Sequence, residues 1–206
     1  MQREARPAAT PASGRACGAC SLCCTLLRVD ELAKLGGTPC LHQRSGGGCA
    51  IHARRPGICR RYRCLWLQGA LEEDDRPDRL GAVLDLASRG GLPELVVHEA
   101  EPGAFERSAR LREIAERHRV AMPVRILDSG GVLDPERPFR VLLPGGDEQR
   151  VSGERVETWR EGVRVAERRL PWLERIVRRA ALAVRRLRLR RHRRGPRAAP
   201  RGRLGA

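Results

Sequence analysis

The sequence predicts an α+β fold: a small metal-stapled, cysteine-rich module on a small, mostly antiparallel sheet with helices, followed by a basic C-terminal helical segment. Three observations predict it. Every cysteine falls within residues 17–64. Short strand-like runs flank one amphipathic segment between residues 81 and 146. Arginine is concentrated in the last part of the chain. At 206 residues, the chain has room for one domain with an appendage.

Residues 1–16 are rich in alanine, proline and arginine, and we expect them to form a disordered lead. This lead has no apolar run of the kind that a secretory signal requires. The chain also contains no uninterrupted apolar stretch of about 18 to 20 residues, the length that crosses a bilayer. These patterns predict a cytoplasmic protein, in which thiols stay reduced.

The cysteine-rich module is predicted to span residues 17–68 and to bind metal. In a reducing compartment, a dense group of thiols is typical of metal sites rather than of disulfides. The first thiols follow C-x2-C-x2-C with a vicinal pair at the end, while the others follow the turn-forming stretches GGTP, SGGGC and RRPG. The predicted metal ligands are Cys17, Cys20, Cys23, Cys24, Cys40, Cys49, Cys59 and Cys64.

The spacing leaves the identity of the metal open between zinc and an iron–sulfur cluster, with a slight preference for iron–sulfur. Four thiolates suit tetrahedral structural zinc, but only the first part of the module has clean C-x2-C spacing. The same run begins like a ferredoxin ligand run, although Cys24 follows at once and the final Cys-Pro is missing. The vicinal Cys23 and Cys24 would be strained as ligands of one small mononuclear site, so one of them is a candidate spare or redox thiol.

Basic residues surround the later cysteines. His42 and His52 are secondary ligand candidates, because Cys49 and His52 have zinc-knuckle spacing. Five arginines crowd the segment around Cys59, where they would offset the negative charge of a thiolate site or form a solvated loop. These arginines are Arg54, Arg55, Arg60, Arg61 and Arg63.

The ordered motif CxxCxxCC at 17–24, then Cys40, then CAIHxxRPxxCRxYxC at 49–64, resembles the YkgJ-type cysteine-cluster family. The resemblance covers roughly residues 17–68. That family is described as zinc- or iron-chelating, and flagellin lysine N-methylase carries a similar cluster. The resemblance therefore implies a metal-binding domain and, as an alternative, a protein lysine N-methylase-like enzyme that uses S-adenosylmethionine and a protein substrate.

Residues 69–153 are predicted to continue the same domain as an α+β scaffold. Strand-like runs occupy residues 81–88 and 92–100, separated by turn residues, and again 124–128 and 139–146. Between them, residues 101–120 have apolar positions near helical spacing and predict one covering helix.

The scaffold shows little catalytic chemistry. It contains no GxGxxG strand-turn-helix fingerprint and no phosphate-binding P-loop. His98 and His118 are isolated in the sequence and are typical of surface or hydrogen-bonded histidines. The acidic run 72–75 is typical of a solvated loop.

Residues 154–192 read as two basic amphipathic helices broken at Pro171, and residues 193–206 as a disordered basic tail. Residues 168–206 hold 15 arginines and one acid, Glu174, against a formal net charge of +16 for the whole chain. A segment of this kind attracts nucleic-acid phosphates or an anionic membrane surface, or packs its apolar stripe on the domain with its arginines solvated. The sequence thus predicts a metal-binding protein, with a nucleic-acid-associated protein acting through this segment as a further alternative.

Overall fold

The computed structural model describes residues 14–32, 34–128 and 138–177, together with 179–180, 183–184 and 187. The chain divides into two compact units, residues 1–169 and residues 170–206. The predicted disordered ends, 1–16 and 193–206, lie outside the described residues except for positions 14–16. No helix in the described part of the chain is long and apolar enough to cross a membrane.

The first unit contains short helices and a single large sheet. The helices are α1 (Leu22–Leu26), α2 (Gly57–Arg61), α3 (Pro77–Leu80), α4 (Ala104–Arg107) and α5 (Ala109–Arg119), with 3-10 turns at Asp30–Leu32, His52–Arg54 and Glu73–Asp75. The strands are β1 (Ala82–Arg89), β2 (Leu92–Glu99), β3 (Val124–Asp128), β4 (Phe139–Leu142), β5 (Glu148–Ser152), β6 (Arg155–Arg160) and β7 (Val163–Arg169). The predicted α+β class is confirmed.

The seven strands lie in sequence order across the sheet, from β1 at one edge to β7 at the other. Only β2 and β3 are parallel, because the helices α4 and α5 carry the chain back between them. Every other neighbouring pair is antiparallel. The predicted antiparallel character is confirmed, although the sheet is larger than the small one predicted.

The hydrophobic core lies where α4 and α5 pack against β1–β4. Alternation along β1 directs Ala82 and Leu84 into this core and Asp85 to the opposite face. The predicted helix over residues 101–120 is divided at Ser108, whose hydroxyl accepts a hydrogen bond from the Leu111 N–H and caps α5. The core residues are Leu65, Ala82, Leu84, Leu95, Val97, Phe105, Leu111, Ile114, Ala115, Val124, Ile126 and Leu142.

The helix predicted from residue 154 to Pro171 is wrong, because residues 155–169 form the hairpin of β6 and β7. The alternating glutamate and arginine residues matched the helical period, but β-branched residues alternate with them and favour strands. Glu161 and Gly162 connect the strands with backbone φ values of 48° and 79°. Two positive φ values in a two-residue loop match the hairpin turn that fits the twist of paired strands.

The sheet holds the cysteine-rich module at its first edge. The Leu65 N–H donates to the Leu84 carbonyl of β1 at 2.9 Å, which extends the edge of the sheet by one contact. Leu65, Trp66 and Leu67 are all buried, so the chain leaves the module through an apolar anchor. No described residue between 17 and 64 belongs to the hydrophobic core described above, although Leu26 and Val29 of the module are buried.

Candidate metal centre

All eight cysteines line one cavity with a volume of about 150 Å³. Each thiol is half-buried and free of disulfides. The cysteines come from three stretches of chain, residues 17–24, 40–49 and 59–64. The structure therefore brings together every cysteine that the sequence singled out.

The first stretch is fixed at its start by Arg15. One guanidinium nitrogen of Arg15 donates to the carbonyl oxygens of Trp66 at 2.9 Å and Leu71 at 2.8 Å. The same side chain forms an ion pair with Glu73 at 2.9 Å and lies over the Trp66 ring, 5.1 Å from its centroid. These contacts tie the chain that leads into Cys17 to the chain that leaves the module.

Cys17 and Cys20 share a turn, because the Cys20 N–H donates to the Cys17 carbonyl at 2.9 Å. A second turn follows, with the Cys24 N–H donating to the Ser21 carbonyl at 2.9 Å. Cys23 and Cys24 are consecutive residues of α1. Consecutive positions on a helix are rotated by about 100°, so these two side chains leave the helix in different directions.

The second stretch docks on α1 through its backbone and one glutamine. The Cys40 N–H donates to the Cys24 carbonyl at 3.1 Å. The Gln43 side chain donates to the Ser21 hydroxyl at 2.9 Å, and the Gln43 backbone forms an isolated antiparallel bridge with Cys49. Cys40 and Cys49 are thereby held beside the C-terminal end of the CxxCxxCC run.

The glycine-rich loop between Cys40 and Cys49 packs directly on the first stretch. A Cβ atom at Gly47 would lie 2.2 Å from the Ala19 carbonyl oxygen, closer than any side chain tolerates, and Gly47 has a φ of 88°. Only glycine satisfies both conditions. The glycines of the SGGGC stretch therefore allow close packing on the first stretch as well as forming a turn.

The third stretch is oriented by a capped helix. Both carboxylate oxygens of Glu31 accept hydrogen bonds from the first turn of α2, from the Gly57 N–H at 3.0 Å and the Ile58 N–H at 2.9 Å. These donors have no partner within the helix, and a carboxylate also interacts favourably with the helix dipole. The cap positions Cys59, which is the next residue of α2.

Lys34 is a buried cation in the wall of the cavity. Its side chain is 6% exposed, and its ammonium donates to the carbonyl oxygens of Thr25, Leu27 and Leu35. Burial lowers the pKa of Lys34, while the neighbouring thiols, Cys40 first among them, act in the opposite direction. Sequence spacing gives no sign of this role; the one signal is that Lys34 is the only lysine among the 41 lysines and arginines of the chain.

The vicinal thiols are electrostatically distinct. The hydrogen bond from Cys23 to Cys24 and burial both raise the pKa of Cys23. The same hydrogen bond, together with the charges of Lys34 and Arg55, lowers the pKa of Cys24 to about 7 against the opposing effect of burial. Cys24 is thus the more acidic of the two thiols and the better prepared to act as an anionic ligand.

Two buried polar atoms in the cavity wall have no hydrogen-bond partner, the Arg55 Nε and the Tyr62 hydroxyl oxygen. Burial raises the pKa of Tyr62, so the phenol keeps its proton. A terminal nitrogen of Arg55 lies 2.8 Å from the His52 Nε2, which leaves Nε as the unused donor. Arg55 and Tyr62 each offer a hydrogen-bond donor to an acceptor bound in the cavity.

The predicted secondary ligands and the arginine group are placed as follows. His42 and His52 both line the cavity. Arg54, Arg60 and Arg61 are exposed, in agreement with the solvated-loop interpretation, whereas Arg55 lines the cavity. Arg55 is therefore the member of the group that is placed to offset thiolate charge.

The eight thiols are of the chemical type that binds metal, but their side chains are not arranged around one metal position. Thiolates are the ligands that zinc and iron–sulfur clusters take, and one cavity collects all of them. Within the described residues, no three or more His, Cys, Asp or Glu side chains are already arranged to hold a metal ion. Binding would require the thiols to move inward from the cavity wall.

The isolated histidines and acids of the scaffold have structural environments. His98 lies on β2 with its pKa lowered to about 4 by burial, and the His118 Nδ1 is 2.8 Å from the Ile114 carbonyl. Asp75, predicted to lie in a solvated loop, is instead 3% exposed and binds both Nε and Nη2 of Arg110 at 2.8 Å. That pair joins the segment after the module to α5.

Comparison with known proteins adds no assignment: no protein-family model, no curated protein and no solved structure matches this chain.

Proposed function

We propose that this protein binds metal, zinc or the iron of an iron–sulfur cluster, through the thiolates of its eight cysteines. The observation that carries the proposal is their collection on one cavity from three separate stretches of chain. Thiols that only fill a hydrophobic core have no reason to share one solvent-connected wall. The similarity of the motif to the YkgJ-type cluster supports the same function.

The surroundings of the thiols support the proposal as well. Metal-bound thiolates carry negative charge, and the wall holds the cations Lys34 and Arg55. The unpartnered Arg55 Nε and Tyr62 hydroxyl supply hydrogen-bond donors that thiolate sulfur accepts. A buried donor without a partner costs about 1–3 kcal/mol, so filling the cavity with an acceptor relieves that cost.

The test is elemental analysis with an absorption spectrum on protein purified without oxygen. Iron with sulfide and a broad band near ~400 nm identifies an iron–sulfur cluster. Colourless protein with stoichiometric zinc identifies a zinc protein. Protein that holds neither metal, and that takes up neither after reduction and reconstitution, contradicts the proposal.

Alkylation of the thiols gives a second readout that does not depend on spectra. Metal-loaded protein should protect its cysteines from iodoacetamide, because coordinated thiolates react slowly, and chelator should restore the reaction. Mass spectrometry of the tryptic peptides reports each cysteine separately. Equal alkylation with and without metal would count against coordination.

A second function concerns the unit of residues 170–206, for which we propose attachment to an anionic membrane surface. Residues 172–177 are helical, as are positions 179–180, 183–184 and 187. When these described positions are placed on one helix at 100° per residue, their large apolar residues fall within an arc of about 140°. All are at least half exposed: Trp172, Leu173, Ile176, Val177, Val184 and Leu187.

Charge decides between the possible partners of this segment. The arginines at 175 and 179 lie outside the apolar arc, which gives a basic face beside an apolar one. An anionic bilayer satisfies both faces at once, since it accepts arginine at its headgroups and apolar side chains below them. Nucleic acid satisfies only the basic face.

Vesicle co-sedimentation of the full-length protein tests this second proposal. We expect binding to vesicles of phosphatidylglycerol and phosphatidylcholine, weaker binding to phosphatidylcholine alone, and loss of binding in Ile176→Gln/Leu187→Gln, which keeps every charge. The same variant should bind a double-stranded oligonucleotide as the parent protein does. Vesicle binding that survives these substitutions, or oligonucleotide binding without vesicle binding, contradicts the membrane role.

A further inference from the structure

The later part of the cysteine-rich module carries positive charge that its own sequence does not offset. Residues 32–71 contain no aspartate and no glutamate, although the whole chain has 25 acidic residues. Lys34 of this stretch is buried in the cavity wall. The remaining charges of the stretch are Arg44, Arg54, Arg55, Arg60, Arg61 and Arg63.

The arginines further along the chain are neutralised in a way that those of the module are not. Between residues 69 and 167, every described arginine except Arg112 lies within ion-pairing distance of an acidic side chain. Five arginines of the module have no such partner among the described residues, and we call them the basic rim: Arg44, Arg54, Arg60, Arg61 and Arg63.

Glu31, the acidic residue that precedes this stretch, is engaged elsewhere. Both of its carboxylate oxygens accept hydrogen bonds from the backbone of α2, from the N–H groups of Gly57 and Ile58. No arginine of the basic rim lies within ion-pairing distance of Glu31. The described part of the chain therefore leaves the charge of the rim available to another molecule.

The basic rim lies on the solvent side of the cavity wall. Each of its arginines is within two residues of one that lines the cavity. Arg60 directly follows Cys59, and Arg54 directly precedes Arg55, so both stand next to a lining residue. The lining neighbours face the cavity, whereas four arginines of the rim are exposed: Arg44, Arg54, Arg60 and Arg61.

Two exposed apolar side chains occur along the same stretch. Leu41 is 96% exposed and stands between Cys40 and His42, which both line the cavity. Ile58 is 42% exposed and directly precedes Cys59 on α2. Covering such side chains with a partner is favourable, because apolar surface removed from water contributes about 25 cal/mol per Å². The surface thus offers a partner both charge and apolar contact.

We propose that the basic rim docks an acidic protein segment that also supplies apolar side chains to Leu41 and Ile58. Carboxylates match guanidinium groups in geometry as well as in charge. Arginine with apolar side chains is also a combination that protein interfaces favour.

Two other anionic partners fit this surface less well. A phosphate backbone offers nothing apolar to Leu41 and Ile58, and the only aromatic residue of residues 17–64, Tyr62, lines the cavity instead of presenting an exposed ring to bases. A membrane surface takes a continuous apolar face, which two separate side chains do not form.

Fluorescence anisotropy of the full-length protein tests the docking, with a labelled synthetic peptide in which leucine recurs among glutamates. At physiological ionic strength we expect saturable binding. The Kd should rise about three- to tenfold in Arg54→Gln/Arg60→Gln, the range that two exposed ion pairs supply. The matched control Arg79→Gln/Arg117→Gln removes two exposed arginines that are already paired with acids at 2.9 Å, and it should change the Kd by less than about twofold.

Leu41→Ser tests the apolar contact separately from charge. Because this side chain is 96% exposed, its replacement leaves the packing of the module intact. The variant should bind the glutamate–leucine peptide more weakly than the parent protein does and bind an all-glutamate peptide equally well. Equal weakening of both peptides, or of neither, contradicts the apolar contact.

A benzophenone-bearing form of the peptide locates the docking site on the parent protein and avoids any folding defect in the variants. Mass spectrometry should place the photo-crosslinks within residues 41–63. Crosslinks within residues 168–206 instead, or equal rises in Kd in the two double variants, overturn docking on the rim. A double-stranded oligonucleotide, or phosphatidylglycerol vesicles, losing as much affinity as the peptide in Arg54→Gln/Arg60→Gln would overturn the acidic protein as the partner.

Discussion

The ammonium of Lys34 has three hydrogens, and the wall of the cavity offers it three carbonyl oxygens. A compact ammonium donates in three directions, whereas the planar guanidinium of arginine donates in a fixed fork. In a chain that uses arginine at every other lysine or arginine position, this geometry explains why a lysine stands at position 34. The residue ties α1 to the chain that follows it.

We expect Lys34→Met to lower the free energy of unfolding by at least about 2 kcal/mol, because three hydrogen bonds to part-buried carbonyl groups are lost, although the Leu35 carbonyl keeps the Thr38 hydroxyl as a donor. Lys34→Arg should be destabilised as well, since its larger planar group does not fit the same three acceptors. Urea unfolding measures both. Arg44→Lys, on the exposed glycine-rich loop, is the matched control and should change stability by less than about 0.5 kcal/mol. A Lys34→Arg protein as stable as its parent would refute this explanation.

Two half-buried titratable groups on the face of the sheet opposite α5 give stability a pH dependence. Burial lowers the pKa of His98 to about 4, and the unfolded chain has a pKa near 6.5. As the pH falls from 6.5 to 4, the unfolded chain takes up the proton first, so the unfolding free energy decreases by up to about 3 kcal/mol. In His98→Gln this loss should be absent when urea unfolding is followed across that window.

Asp85 acts with the opposite sign and serves as the comparison. Burial raises its pKa to about 6 from 3.8, so its contribution to stability is complete below pH 3.8 and is lost as the pH rises through 6. Asp85→Asn should therefore steepen the loss of stability on acidification that His98→Gln removes. Identical pH profiles for the two variants would contradict these assignments.

At the scale of elements, the turn between β6 and β7 contains a residue in an unfavourable backbone conformation, and a substitution can relieve it. Glu161 is the only described residue other than glycine with a positive φ. Asparagine tolerates that conformation better and, followed by glycine, favours the same two-residue turn. We expect Glu161→Asn to raise the unfolding free energy by about 0.5–1 kcal/mol and Gly162→Ala to lower it, both measured by thermal melts. Destabilisation by Glu161→Asn would be inconsistent with the turn.

The elements also show what local pattern could and could not predict. The first four strands were predictable because short apolar runs are bounded there by glycine and proline, as at Gly90 and Gly91. Strands β5–β7 were not, because more than half of their residues are arginine, glutamate or glutamine, whose spacing suits a helix face equally well. Their pairing depends on neighbours in the sheet, and periodicity along the chain does not contain that information.

For the candidate site, the ligand types were predictable and their supports were not. Eight clustered cysteines announce a shared role, but the contacts of Glu31 with α2 and of Arg15 with Trp66 join residues far apart in sequence. In a chain with many charged residues, the neighbouring sequence does not show which glutamate or arginine makes such a contact. The only local signal was compositional, the single lysine.

At the scale of the whole molecule, the sheet and the cysteine-rich module depend on different sources of stability. The hydrophobic core described above includes Leu65 but no described residue between 17 and 64. We therefore expect chelator under reducing conditions to leave the far-ultraviolet circular dichroism of the sheet in place. Trypsin should then cleave the module faster at exposed arginines such as Arg44 and Arg54. Unchanged cleavage, or unfolding of the whole chain in one step, would contradict this separation.

Because the only lysine of the chain is buried, its accessibility to reagents reports local opening of the cysteine-rich module. A lysine-specific endoprotease has a single target in the whole sequence, the peptide bond after Lys34, and that side chain is held inside the wall of the cavity. Cleavage there must wait for the module to open, so its rate measures the equilibrium of local opening. An amine-selective label reads the same event, because Lys34 supplies the only side-chain amine of the protein. The native chain can therefore report how often the cysteine-rich module opens, without an engineered probe.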